Sequence, residues 1–163
     1  MGGISIFREL VRKNKQLSAE ECAAILTNEK RGVLSVLGDD DYPYGMPMNH
    51  FYNADDGCIY FHCGNVGHRL ESLQKHDKVS FCVYDEGYRK EGAWALTIKS
   101  VIVFGRITIL DNPDTVSDIT TRLSHKFTLD DAYIAQEIKG SLHRTLLLKL
   151  TPEHICGKVV VES

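Results

Sequence analysis

Residues 58–84 read Cys-Ile-Tyr-Phe-His-Cys-Gly-Asn-Val-Gly-His-Arg-Leu-Glu-Ser-Leu-Gln-Lys-His-Asp-Lys-Val-Ser-Phe-Cys-Val-Tyr, and the side chains able to do chemistry gather around two glycines. His62 and Cys63 stand just before Gly64, and His68 and Arg69 follow directly on Gly67. Residues 58–63 are aromatic and β-branched enough for a half-buried strand, and the glycines let the backbone turn sharply after it. Val66, Leu70 and Leu73 then recur at helical spacing, which predicts a short helix with His68 and Arg69 in its first turn. There the unpaired backbone N–H groups and the positive end of the helix dipole favour a phosphate, and an arginine adds a two-pronged grip. A metal site built from His62, Cys63 and His68 is the competing reading. Side chains alternate faces along a strand, so His62 and Cys63 point opposite ways and no metal is expected.

Other catalytic signatures are missing from the sequence. It has no Gly-x-Ser-x-Gly elbow, no His-Glu-x-x-His, no Gly-Lys-Ser/Thr phosphate loop and no Rossmann glycine pattern. Five cysteines (Cys22, Cys58, Cys63, Cys82 and Cys156) form an odd set without a Cys-x-x-Cys pair, which argues for reduced thiols over disulfides or a zinc ribbon. With 19 basic and 22 acidic residues and no block of Lys and Arg, neither nucleic acid nor a membrane surface is an expected partner. The apolar runs are strand-sized, and Arg8, Glu9, Arg12 and Lys13 stand where a signal segment would need an apolar core. A soluble, cytoplasmic protein of one domain, residues 1–163, is the expectation.

The elements that must hold the glycine-rich stretch in place are marked by their own signals. Ser18 and Glu21 form a capping box, with Leu17 set to staple against Cys22, and the helix they open runs to about Asn28 with Cys22, Ile25 and Leu26 facing a core. A strand over 32–37, a solvated acidic turn over 38–41 and a returning strand over 44–52 make a hairpin. Pro43 and Pro47 mark that second strand as an edge or a bulge, leaving its backbone free for a ligand. After a turn at 53–57 and the central stretch comes a charged loop, 85–92. Residues 95–110 then form one long strand or two joined at a bend, with Gly105 a bulge or close approach. Helices open at Pro113 and near residues 128–131, the second ending by Gly140, and Thr121, Arg122, His125 and Lys126 read as solvated or subunit-facing surface. A last strand, 143–151, stops before Pro152. Six strands with tight turns and helices in the gaps predict a mainly β, antiparallel barrel with helical decoration.

Four patches in this order resemble the flavin-binding split-barrel proteins related to pyridoxamine 5′-phosphate oxidase, particularly the nitroimidazole-resistance branch. They are Gly32-Val-Leu-Ser-Val with Tyr42-Pro-Tyr-Gly-Met-Pro-Met-Asn, Tyr60-Phe-His-Cys with Gly67-His-Arg-Leu, Ser100-Val-Ile-Val-Phe-Gly-Arg, and Ile155-Cys-Gly-Lys. The resemblance implies an antiparallel six-stranded Greek-key split β-barrel and an FMN site at the interface of a homodimer. It implies cofactor contacts from Met46, Pro47, Met48 and Asn49 along the flavin, from His62, Cys63, Gly67, His68 and Arg69, and from Ser100 and Val101, with Ser100 reaching the cofactor of the partner subunit. The arginine-rich elements that bind substrate phosphate in true pyridoxamine phosphate oxidases are not evident near the C-terminus, which offers Lys158.

A bound flavin would carry the redox step itself and leave no catalytic side chain obligatory. The implied activity is transfer of reducing equivalents from a reduced nicotinamide or other donor through FMN to a small acceptor such as a nitroaromatic. Two readings of other classes stay open. One is a flavin-storing or flavin-sensing module with the same cradle and no turnover. The other is a haem-binding relative with His62, His68 or another histidine as axial ligand.

Overall fold

The computed structural model describes residues 6–162, so residues 1–5 and 163 of the expected domain 1–163 lie outside the described residues. In chain order the elements are α1 (Ala19–Asn28), β1 (Arg31–Leu37), β2 (Pro43–Asn49), β3 (Phe51–Asn53), β4 (Cys58–Gly64), α2 (His68–Lys75), β5 (Lys78–Tyr84), β6 (Tyr88–Arg89), β7 (Leu96–Leu110), α3 (Pro113–Ser124), α4 (Asp131–Ser141) and β8 (Thr145–Glu162). All pairings are antiparallel, in the order β2-β1-β5-β7-β8-β4-β3, with β6 added to β7. The two ends of that order, β2 and β3, are separated in the chain by His50 alone. The sheet must therefore curl until its first and last strands meet at one corner, which makes it a split barrel.

Among the described residues eight strands stand where six were expected. The stretch 44–52 divides at His50, where the chain leaves one sheet end for the other, and the charged loop 85–92 contributes the two-residue β6. Residues 96–110 form one strand, as one of the two expected alternatives had it. The final strand corrects the sequence reading, because it runs straight through Pro152 to Glu162. Phe104 pairs with His154 and Gly105 with Pro152, so Glu153 is an extra residue and the register shifts there. A proline opposite a bulge loses no ladder hydrogen bond, so it does not end the strand. Gly105 is the expected close approach, since a Cβ there would lie 2.2 Å from the Thr151 carbonyl oxygen.

Strand alternation sends Leu34, Phe61, Phe81, Val101, Val103, Leu148 and Leu150 into the interior, all fully buried. Phe81 meets Phe61 and His50 edge-on, at centroid distances of 4.9 and 5.0 Å. The α1 capping box forms as expected: the Glu21 N–H donates to Ser18 Oγ at 3.2 Å and the Ser18 N–H to Glu21 Oε2 at 3.0 Å. Cys22, Ile25 and Leu26 of α1 join the core. Val116 and Ile119 of α3 cover Cys58, Tyr60 and Leu147 on the barrel's other side.

Lys126 also departs from its surface assignment. Its ammonium is partly buried and donates to the main-chain carbonyls of Glu29, at the end of α1, and of His50, at the barrel corner. Burial pushes its pKa down to about 8. Arg122 lies 4.7 Å over the Phe51 ring and donates to Asn53 Oδ1 at 3.1 Å. Among the described residues no helix is long and apolar enough to cross a membrane.

Candidate functional site

A cleft of about 450 Å³ opens between the β2 edge and the start of α2, lined by Arg31, Pro47, Met48, Asn49, His62 and Arg69. Five of these six were expected at a cofactor from the sequence. They come from four elements, and the fold brings each in for a local reason. β2 is a terminal strand of the sheet, so one backbone edge is unpaired along Pro47, Met48 and Asn49. His62 projects from β4 to the exposed side while Cys63, one residue on, is buried.

Gly67 then turns the chain at φ 119°, a conformation side chains rarely allow, and a Cβ there would meet nothing within 4 Å. As N-cap of α2 it supplies no side-chain acceptor, so the first-turn N–H groups remain open to a ligand. Arg69 lies in that turn. Its Nη1 is 2.9 Å from Met48 Sδ and 3.8 Å from Met46 Sδ. Among the described residues no carboxylate pairs with it.

Electrostatics follow from this arrangement. Burial in the cleft, and secondarily the Arg69 charge, push the His62 pKa below the ordinary imidazole value, leaving a neutral ring at neutral pH. Burial pushes the Cys63 thiol up, with Arg69 opposing. An arginine with free donors beside an uncapped helix start, glycines that leave room, and a neutral imidazole suit an anionic ligand with a planar polar body.

The remaining expected residues lie elsewhere. Met46 is buried and does not line the cleft. His68 is exposed and stacks on Tyr44 at 4.5 Å, with Asp39 at 3.4 Å, so it faces the β1–β2 hairpin and is not in the cleft lining. Val101 is fully buried in the core, while Ser100 sits half-buried on the outer face of β7 between Tyr84 and Lys158. Neither lines the cleft of its own chain.

Sequence reasoning missed Arg31, whose signal was its place at the start of the strand beside the Pro47 edge. With Pro47 it also lines an adjoining cavity of about 670 Å³ walled by residues 28–33 and 84–88. Burial, and then the Asp85 and Glu86 carboxylates, raise the Glu29 pKa there.

The family model described as pyridoxamine 5′-phosphate oxidase matches residues 18–159. No curated protein sequence matches the chain. A candidate 5-nitroimidazole antibiotic resistance protein from Bacteroides thetaiotaomicron superposes with a TM-score of 0.75 at 16% identity, covering 90% of this chain and 87% of that one. A FAD-binding protein from Mesorhizobium loti gives 0.64 at 21% identity over 90% and 97% of the two chains. A FAD- and haem-binding protein from Mycobacterium smegmatis gives 0.70 at 17% over 91% and 74%. At these identities the likeness is one of fold, and it is the fold of split-barrel proteins.

Proposed function

The chain belongs to the pyridoxamine 5′-phosphate oxidase family, and from that premise we propose that it is a flavoprotein holding FMN in the cleft between β2 and α2. It passes reducing equivalents from a reduced donor to a small electron-poor acceptor of the nitroaromatic class. The observation that carries this reading is Arg69, a guanidinium at an uncapped helix start that no carboxylate neutralises among the described residues. The flavin, when bound, supplies the redox chemistry. Arg69 and the first-turn N–H groups of α2 grip its phosphate, the open β2 edge orients its polar rim, and neutral His62 offers a hydrogen bond without adding charge. The proteins of similar fold that bind FAD, or FAD and haem, support a flavin, and the candidate nitroimidazole-resistance protein supports the acceptor class.

The reading includes a homodimer. Across the outer sheet face, Pro47, Val33, Cys82, Ile102 and Cys156 stand opposite one another in register, followed by Ser35, Ser80, Phe104 and His154. Apart from His154, on which Phe7 of the same chain stacks at 4.9 Å, these are small or apolar side chains, and Val33 and Phe104 are 38% and 37% exposed. A second copy covers this face in the proposed dimer, and Ser100, which lies on it, then reaches the partner's cofactor.

Visible absorption, titration with FMN and riboflavin, and light scattering of the purified protein test the whole reading. A flavin spectrum, FMN bound at least about tenfold more tightly than riboflavin, and a dimeric mass are expected. Equal affinity for the two flavins removes the phosphate grip, a Soret band points to haem on a histidine such as His62, and a monomer that binds flavin tightly removes the shared site. Flavin that binds but passes no electrons to a nitroaromatic, even after chemical reduction, leaves a storage module.

A further inference from the structure

The side-chain acceptors nearest Arg69 Nη1 are thioether sulfurs: Met48 Sδ at 2.9 Å in the cleft wall and Met46 Sδ at 3.8 Å beyond that lining. We propose that Met48 is a site of reversible oxidation, its sulfoxide oxygen capturing the Arg69 guanidinium and loosening the cleft's hold on a phosphate group. This rests on the reading of Arg69 as the phosphate contact. The oxidant is hydrogen peroxide, which dioxygen forms from a reduced flavin. The thioether lone pair attacks one peroxide oxygen, an S–O bond forms as the O–O bond breaks, sulfur gives up two electrons, and the other oxygen leaves as water.

Several observations single out Met48 among the sulfurs. A thioether needs no ionisation to react, whereas burial raises the pKa values of Cys22, Cys63 and Cys82 and keeps them as unreactive thiols. Met48, 8% exposed, borders the cleft, which gives a molecule as small as peroxide its route to the sulfur, while Met46 is not part of that lining. The new oxygen forms on a sulfur that Nη1 already touches, so the guanidinium has only to draw back for its N–H to pass from the sulfur to the oxygen. A sulfoxide in a largely buried position requires a donor, and a charge-assisted bond to guanidinium is the strongest it can find there. Arg69 is then occupied, and a phosphate must break that bond to bind. The device is feedback: peroxide made by the flavin weakens retention of the flavin.

The test treats the purified protein with peroxide, maps added oxygen by peptide mass spectrometry, and measures FMN and riboflavin affinity before and after. Expected is one oxygen on Met48, at least a tenfold loss of FMN affinity with riboflavin unchanged, and recovery with methionine sulfoxide reductase. Met48→Leu should keep its FMN affinity through the same treatment. Full sulfoxide at Met48 with FMN affinity within twofold of untreated protein overturns the proposal. So does failure of Met48 to oxidise where an exposed methionine peptide does, or an equal loss in Met48→Leu. Arg69→Ala measured alongside separates the layers. FMN loss there without loss in oxidised wild type removes the sulfoxide latch alone, whereas no FMN-specific loss in either removes the phosphate reading as well.

Discussion

Beside the bulge of β8, Arg106 donates through Nη1 to both oxygens of Asp77, at 2.8 and 2.9 Å, and through Nε to Glu153 at 2.8 Å. In the cleft beside α2, Arg69 meets Met48 Sδ at 2.9 Å and no carboxylate among the described residues. Both side chains are partly exposed, yet the barrel supplies two counter-charges to one and soft sulfur to the other. Glu153 is itself the extra residue of the bulge, so Arg106 belongs to the register of β7 on β8. Arg69 contributes to no strand register and keeps its donors. A cation whose charge the fold has already balanced serves the fold, and one left unbalanced at the mouth of a cleft is free to take a ligand.

The largest expected effect breaks the bulge side of that contrast. Gly105→Val puts a side chain against the Thr151 carbonyl, where even a Cβ would lie at 2.2 Å. Because it is backbone that must move, the cost is about 3 kcal/mol or more, read as a lower urea midpoint. The fraction that still folds should keep its preference for FMN over riboflavin. If that preference disappears with the bulge, the two regions are coupled and the contrast fails.

A third basic group sharpens the comparison, because His50 has neither a counter-charge nor a cleft. It is fully buried at the barrel corner, its Nε2 bonded to the Leu26 carbonyl at 2.8 Å and its Nδ1 without a partner among the described residues. Burial lowers its pKa from 6.5 to about 4, with the Lys126 charge acting the same way. Between those values the unfolded chain holds a proton that the folded chain refuses. Stability is therefore complete above about pH 6.5 and falls as pH drops towards 4, by roughly 3 kcal/mol in all. His50→Gln should flatten this acid limb of the stability curve, whatever it does to stability at neutral pH. An unchanged slope would show that the loss on acidification arises elsewhere.

Arg69→Ala tests the cleft side directly. A charge-assisted contact is worth about 1.5–3 kcal/mol, so FMN affinity should fall by about one to two decades with riboflavin and the urea midpoint little changed. Arg106→Met should do the reverse, leaving FMN affinity alone. Equal weakening of FMN and riboflavin in Arg69→Ala would show that the free guanidinium is not used on phosphate.

Much of this arrangement is legible in the sequence because its causes are local. The Ser18–Glu21 capping box, the Gly67 turn into α2, the edge character of the strand carrying Pro47 and the special role of Gly105 each rest on residues within a few positions of one another. What escapes is what depends on distant partners. Pro152 reads as a stop until Gly105 is seen opposite it. His50 reads as one more residue of a continuous strand because nothing nearby announces that the sheet ends meet there. Lys126 looks solvated because the carbonyls it binds, those of Glu29 and His50, are 97 and 76 residues away. Val101 carries the family's pattern, yet strand alternation turns its side chain into the core. The residues that line the cleft are legible together because they cluster on β2 and on the β4–α2 turn, whereas Arg31 arrives from β1 alone.

The smallest expected effect concerns His62, the neutral partner of Arg69 in the cleft. It projects opposite to Cys63 and lines the cavity, and both burial and the Arg69 charge hold it unprotonated. A ring kept neutral is poorly suited to deliver a proton, and in the proposed function a flavin would carry the electrons without one from imidazole, so the role proposed for His62 is to order the ligand. His62→Gln keeps a polar group in place and should leave nitroaromatic reduction within about a few-fold of wild type at full flavin occupancy. For the same reason wild-type turnover should show no break near the ordinary imidazole pKa, since the lowered value moves that titration towards acid. A proton-delivering His62 would instead give a loss of about two decades or more in the variant. It would also give a wild-type pH profile with a limb that the variant lacks. Either result would mean that the cleft holds a catalytic acid beside its anion grip.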